Sequence, residues 1–136
     1  MCIKTVQVSA PTAKFDQPLH AGAIALPNRV FLAPMSGVTD TPFRRLAAAL
    51  GAGVVVSEMV PSEALVIRKR DAHLRADGKG LDLHVVQIAG CEPYWMAEGA
   101  RVAEASGADI IDINMGCPAK HVTGGQSGSA CARASG

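Results

Sequence analysis

Aromatic residues are scarce in this 136-residue chain: one Trp, one Tyr and three Phe make up 4% of it. Proteins that hold single-stranded nucleic acid by base stacking need several exposed aromatic rings, so this mode of binding is disfavoured. The formal net charge is only +1, which excludes a strong overall field that would attract polyanions. A local basic patch remains compatible with this composition.

The sequence also lacks the cysteine spacing of a zinc site and any long apolar run. Its four cysteines, at positions 2, 91, 117 and 131, include no CxxC pair, which disfavours zinc. No apolar run approaches the length of a membrane span, and the first twenty residues contain Lys4, Lys14 and Asp16 where a signal peptide would have an apolar core. We therefore expect no metal, no membrane segment, a cytoplasmic location and reduced thiols.

What is present is a core-forming composition, with 49% apolar and 18% charged residues. Residues 1–20 show no periodicity and are expected to form an N-terminal extension, which leaves 21–136 as a partial catalytic domain. Four apolar runs follow, at 30–35, 54–60, 83–89 and 109–114. Continuous β-branched runs are typical of strands covered on both faces, as in a parallel sheet.

Helices are predicted between these strands. The first is expected to begin with Thr41 as its cap and Pro42 in its first turn, and to end at Gly51. A second is expected from Pro61 to about position 70, and a third from Pro93 to about position 106. This alternation of strand and helix, with about 25 residues per unit, is typical of βαβ crossovers.

Two architectures share this alternation, the open doubly wound sheet and the closed eight-stranded barrel. The first strand-to-helix turn, APMSGVT at 33–39, lacks the GxGxxG of a dinucleotide-binding domain. A barrel needs roughly 250 residues, so four units amount to about half of one. We predict an α/β fold, the N-terminal half of a (β/α)8 TIM barrel truncated after about four units. Such a chain is expected to be inactive alone.

Active sites of such barrels lie at the carboxyl ends of the strands. The side chains there include amides, thioethers, a carboxylate and a thiol, which suit a flat conjugated ring; they are Pro34, Met35, Ser36, Glu58, Met59, Gln87, Asn114, Met115 and Cys117. Gln87 is either a structural amide or a partner of a bound heterocycle. Cys117 is either an inert buried thiol or a group facing the pocket. Without an adjacent histidine, an acid role fits it better than a nucleophilic one.

A basic run, Arg68-Lys69-Arg70, is either a solvated helix end or a phosphate contact.

Five sequence blocks along the chain are informative when taken together. They are APMSGVTD at 33–40, FR at 43–44, SEMV at 57–60, VQIAG at 86–90 and DIIDINMGCP at 109–118. In residue types, order and spacing they resemble the tRNA-dihydrouridine synthases, most closely a bacterial subgroup of that family. The resemblance covers about residues 20–130, and the stretch 112–125 is its most specific part.

The resemblance implies an FMN-containing barrel with a small helical domain, in which NADPH reduces the flavin. The reduced flavin passes a hydride to C6 of a flipped-out uridine in tRNA, and a cysteine protonates C5; flipping exposes both faces of the 5,6 bond. By matching position, that cysteine is Cys117. The flavin contacts match Pro34, Met35, Ser36 and Gln87, and Asn114 lies where the family holds the edge of the uracil or the flavin.

The chain also departs from the family. The flavin-binding lysine and histidine, the phosphate-binding loops and the helical domain would lie beyond Gly136, and positions 130–136 stray from the family pattern. Two other functions stay open: another FMN barrel oxidoreductase acting on a small molecule, such as a dihydroorotate or enone reductase, and a non-catalytic fragment. The MGCP block at 115–118 argues against the small-molecule enzyme. The sequence indicates neither the target uridine nor the oligomeric state.

Overall fold

The computed structural model describes residues 19–117, which contain seven short strands and four helices. The elements in chain order are β1 (Leu19–Ala21), β2 (Ile24–Leu26), β3 (Phe31–Leu32), α1 (Thr41–Ala49), β4 (Val54–Val55), β5 (Val60–Pro61), α2 (Ser62–Val66), α3 (Arg70–Ala76), β6 (Val85–Ala89), α4 (Pro93–Ala105) and β7 (Ile110–Ile113). Leu19 and His20, which the sequence assigned to the extension, lie in β1; the rest of that extension and the segment after Cys117 lie outside the described residues.

The strands of the four predicted runs lie side by side in chain order, and every pairing between them is parallel. Strand β3 pairs with β4, β5 pairs with β6, and β6 pairs with β7. A parallel bridge between Val56 and Val85 links β4 to β6. Strands β1 and β2 form a separate antiparallel hairpin. The mixed α/β fold and its parallel order agree with the prediction.

The predicted single strand at 54–60 is wrong, because the run is divided into β4 and β5. Val56 pairs with Val85 and Val60 pairs with Ile88, so this run has one residue more than β6 over the same stretch. An extra residue of this kind interrupts the ladder, as in a β-bulge. At the interruption the N–H of Gln87 donates to the Ser57 hydroxyl, 2.9 Å away, in place of a strand carbonyl.

The sheet has two covered faces, as the β-branched runs predicted. The helix face packs against α2, α3 and α4 in a core formed by Val60, Leu65, Ala72, Ala76, Val86, Ile88 and Ala103. The hairpin face packs against β1 and β2 in a second core formed by Leu26, Val54, Val56 and Val85. Neighbouring residues along a strand point to opposite faces, so Ile110 contacts the second core and Ile111 the first.

Helix α1 is capped by Asp40, not by Thr41 as predicted. The Asp40 carboxylate accepts a hydrogen bond from the Phe43 N–H at 2.9 Å, which satisfies one of the unpaired donors of the first turn. Thr41 is the first helical residue, and its hydroxyl donates instead to the carbonyl of Asp77. The predicted end of the helix is confirmed, since Gly51 follows Leu50 with a left-handed φ of 102°.

The second predicted helix, from Pro61 to about position 70, is present as α2 but ends earlier, at Val66. A further helix that was not predicted, α3, begins at Arg70, and between the two helices Arg68 has a left-handed backbone with φ 60°. Ala72 and Ala76 lie one turn apart in α3 and are both buried in the core of the helix face. Packing of these small residues therefore stabilises α3, in which the only other apolar residue, Leu74, is exposed. The third predicted helix is confirmed as α4.

Gly99 lets α2 and α4 approach closely, since a Cβ built on it would lie 2.9 Å from the Ser62 Cβ and 3.2 Å from its Cα. We expect Gly99→Ala to lower the free energy of unfolding by about 1–3 kcal/mol, because the helices must separate. Thermal denaturation followed by circular dichroism measures this. Ala97→Ser, at an exposed position of the same helix, should stay within about 0.5 kcal/mol. An unchanged or raised midpoint for Gly99→Ala would show that the contact tolerates a methyl group.

Candidate functional site

The hairpin face of the sheet changes from apolar to polar towards the carboxyl ends of β6 and β7. Side chains two residues apart on a strand share a face. Val85 is therefore followed on this face by Gln87, and Ile110 is followed by Asp112 and Asn114. The pairing of Gln87 with Asp112 sets the two polar stretches beside each other.

These polar side chains form one continuous series of hydrogen bonds, called here the amide chain. The Gln87 Nε2 donates to Asp112 Oδ2 at 2.6 Å, and the Asn114 Nδ2 donates to Gln87 Oε1 at 2.9 Å. The backbone N–H of Cys117 donates to Asn114 Oδ1 at 3.0 Å. The structure thus brings together Gln87, Asn114 and Cys117, three of the residues that the sequence singled out.

Asp112 also lines a cavity of about 320 Å³ on the hairpin face. Its other lining residues are mostly apolar and are Ala21, Leu26, Phe31, Leu32, Ala33, Pro34, Val54, Val56, Val85 and Ile110. Small-molecule sites have about this volume, apolar walls and a few placed polar groups. Pro34 therefore lines the same cavity as Asp112, one member of the amide chain.

The turn after β3 carries Met35 and Ser36. The carbonyl of Met35 accepts from the N–H groups of Val38 and Thr39, and the Met35 N–H donates to the Thr39 hydroxyl. Both predicted residues are exposed. Ser36 lines a different cavity, of about 340 Å³, together with Glu58. Among the residues described, no side-chain hydrogen bond links Met35 or Ser36 to the amide chain.

Glu58 anchors this turn from the interrupted strand. Its buried carboxylate accepts from the N–H of Gly37 at 3.0 Å, and Gly37 has a left-handed φ of 73°. Glu58 lies within the stretch that holds the extra residue. Glu58 therefore links the turn after β3 to the segment between β4 and β5.

Arg44, fully buried in α1, ties the same turn to α3. Its Nε donates to the Thr39 carbonyl at 3.0 Å, and its Nη2 donates to the carbonyls of Arg75 and Asp77 at 3.1 and 2.8 Å. Burial lowers the pKa of the Arg44 guanidinium, and the charges of Asp77, Asp40 and Glu58 act in the opposite direction. Arginine nonetheless stays protonated in proteins. Nη1 is buried without a hydrogen-bond partner among residues 19–117.

Sequence reasoning did not select Asp112 or Arg44 as site residues. Asp112 had a detectable signal, because it stands two positions before Asn114 and must share its face in a strand. Its bond to Gln87 required the register between β6 and β7. Arg44 had no such signal, since two of its partners, the carbonyls of Arg75 and Asp77, lie more than 30 residues away in sequence.

The basic run connects α2 to α3, and its last residue, Arg70, is the first residue of α3. Arg68 and Arg70 are exposed and line a cavity of about 560 Å³ with His73 and His84.

Within residues 19–117, no cluster of three His, Cys, Asp or Glu side chains could hold a metal ion. In the same part of the chain, no helix has the length and apolarity needed to cross a membrane.

Comparison with known proteins assigns the family. Residues 31–135 match the sequence model of the family described as dihydrouridine synthase. The chain belongs to this family. The match includes the turn after β3 and the whole amide chain, and it confirms the resemblance inferred from the sequence blocks.

Named relatives agree with this assignment. A probable tRNA-dihydrouridine synthase of Rhizobium leguminosarum bv. phaseoli is 60% identical over 106 residues, covering 78% of this chain and 33% of that protein. The tRNA-dihydrouridine synthase B of Pseudomonas aeruginosa is 53% identical over 116 residues, covering 85% of this chain and 35% of that protein. The chain thus spans about a third of the length of these relatives.

Proposed function

We propose that this chain takes part in the flavin-dependent reduction of the uridine 5,6 double bond in tRNA. The observation that carries the proposal is the amide chain, which links Gln87, Asn114 and Cys117 beside an apolar cavity. The names of the relatives supply the substrate, since they are tRNA-dihydrouridine synthases. Such a substrate favours a cytoplasmic location.

Residues 31–113 would form the first four strands of an eight-stranded barrel, together with the helices between them. The strands follow one another in parallel and in chain order, and a doubly wound sheet would instead reverse its order at a switch point. The hairpin of β1 and β2 covers the face that would become the barrel interior. The carboxyl ends of the strands, where barrel enzymes carry their active sites, bear the amide chain.

The remaining hydrogen-bonding groups of Gln87, which is bonded to Asp112 of the cavity, fit FMN. Gln87 gives one N–H to Asp112 and accepts once from Asn114, so one N–H and one lone pair remain for the carbonyl and N–H groups of a flavin edge. Pro34 would contact the ring from the cavity wall, and Met35 and Ser36 from the turn after β3. Bound there and reduced by NADPH, FMN would supply the hydride that C6 of the uracil receives.

The residues of this chain would complete the reduction by delivering a proton. The Cys117 S–H bond breaks as a C–H bond forms at C5, and the resulting thiolate regains its proton from water. Thiols are protonated at neutral pH unless their surroundings stabilise the thiolate. Asn114, fixed by the Cys117 backbone, would hold the edge of the uracil close to this thiol.

A reoxidation experiment tests the substrate class. The reduced holoenzyme, completed to the length of the relatives and kept under argon, is mixed with tRNA that lacks dihydrouridine, or with free uridine or orotate. We expect tRNA to restore the absorbance of oxidised flavin much faster than either small molecule, because flipping from a bound tRNA presents the base in a fixed orientation. Faster reoxidation by orotate would support a small-molecule reductase instead.

A further inference from the structure

The two ends of the amide chain are groups whose hydrogen-bonding roles are unambiguous. An Asn or Gln side chain has nearly the same shape in both orientations, and only its partners decide which way it faces. The Asp112 carboxylate can only accept, and the Cys117 N–H can only donate. The amides of Gln87 and Asn114 lie between these two ends.

Each of the two amides can therefore adopt only one orientation. Gln87 turns its NH2 to Asp112 and its oxygen to Asn114, and Asn114 turns its NH2 to Gln87 and its oxygen to the Cys117 N–H. Reversing either amide would set two donors against each other at one contact and two acceptors at another. The bond between Gln87 and Asp112 is the shortest of the three, at 2.6 Å, as expected where the acceptor carries a charge.

We propose that Asp112 is a positioning residue, whose carboxylate orients Gln87 and through it Asn114 and thereby determines which hydrogen-bonding groups the site presents. This proposal rests on the proposed function. Asn114 Oδ1 already accepts from the N–H groups of Gly116 and Cys117. Asn114 is left with one N–H without a partner among the described residues, so it presents a donor to the ligand.

A donor at Asn114 selects a carbonyl oxygen over an amino group. Uracil and the flavin pyrimidine ring both offer carbonyl oxygens, whereas cytosine carries an amino group in place of one of them. Gln87 presents one donor and one acceptor, which match a carbonyl beside an N–H. Asp112 lines the cavity, and its charge supports the choice of ligand through the bond to Gln87.

Asp109, which directly precedes β7, provides a matched control. Its carboxylate accepts from the His84 N–H at 2.8 Å, at the other end of the pairing between β6 and β7. Asp109→Asn and Asp112→Asn each remove one charge from one hydrogen bond between these neighbouring segments. A purely structural role for Asp112 predicts that both variants behave alike.

The first measurement uses flavin-stripped protein and nuclear magnetic resonance of side-chain amides. We expect the Gln87 NH2 protons to exchange slowly with solvent in the wild type and in Asp109→Asn, and faster in Asp112→Asn, because a neutral acceptor holds them less strongly. Equal exchange in all three proteins would overturn the positioning role. This readout does not require the protein to bind flavin or to turn over.

The second measurement is the affinity for FMN, made in an enzyme completed to the length of its relatives, since this chain is expected to be inactive alone. We expect Asp112→Asn to weaken FMN binding about tenfold, the loss that accompanies weakening of one charge-assisted contact, and Asp109→Asn to leave it unchanged. In a Gln87→Met background, Asp112→Asn should have no further effect, since Asp112 acts through Gln87. An equal loss in both backgrounds would overturn the proposal. A wild type that binds no FMN would refute the proposed function, and the exchange measurement would still decide the role of Asp112.

Discussion

Replacing Cys117 by alanine in an enzyme completed to the length of its relatives is expected to reduce turnover of tRNA by about 100- to 10,000-fold, the usual contribution of a general acid. Affinity for FMN should stay close to that of the wild type, because only the backbone N–H of Cys117 takes part in the amide chain and alanine keeps it. Flavin reduction by NADPH should also persist. Single-turnover oxidation of the reduced holoenzyme by tRNA isolates the affected step.

Cys91 is the matched control for this experiment. It is also a free, half-buried cysteine, and it follows β6 as Cys117 follows β7. Cys91→Ala should oxidise its flavin with tRNA at the wild-type rate. If Cys117→Ala did the same, the acid role would be removed, and if it lost FMN as well, Cys117 would have to be regarded as structural.

Replacing Arg44 by methionine is expected to lower the free energy of unfolding by about 2–4 kcal/mol, because it leaves buried carbonyl groups without donors. The guanidinium donates hydrogen bonds to the carbonyls of Thr39, Arg75 and Asp77. Lysine keeps the charge but lacks the planar fork, so Arg44→Lys should lie between methionine and the wild type. Chemical denaturation of the holoenzyme measures the difference.

Arg45 supplies the comparison, since it is the next residue in the same helix and is exposed. Arg45→Met should change the free energy of unfolding by less than about 0.5 kcal/mol. We also expect Arg44→Met to weaken FMN binding, because Thr39 is hydrogen-bonded to Met35 in the turn that would contact the flavin. Equal stability of the two variants would show that water replaces the guanidinium without cost.

The strands of the candidate site were predictable where apolar runs are continuous. Val85–Ala89 and Ile110–Ile113 lie within their predicted runs, because β-branched residues buried on both sides leave few alternatives to a central strand. The division at Ser57 was not predictable. It depends on an extra residue relative to β6, and only the pairing partner reveals such an excess.

The helices likewise differ in whether local residues or distant contacts determine their positions. Helix α4 begins at a proline and ends before Gly107, both of which are local signals. The cap of α1 was placed one residue late, because Asp40 and Thr41 are both good capping residues and the Thr41 hydroxyl is engaged by Asp77. Helix α3 depends on burial of Ala72 and Ala76 against other elements, which a single sequence does not display.

The sequence by itself determined the family, the alternation of strands and helices, and the residue types at the strand ends. Blocks of adjacent residues carry that information, and local propensity and hydrophobic pattern suffice to read it. Only the tertiary structure decided that Asp112 bonds to Gln87, that Glu58 holds the turn at Gly37 and that Arg44 joins this turn to α3. Each of these contacts joins residues 21 or more positions apart. Their partners are set by strand register and helix packing, since the energy of a buried polar group depends on which neighbour the fold brings to it.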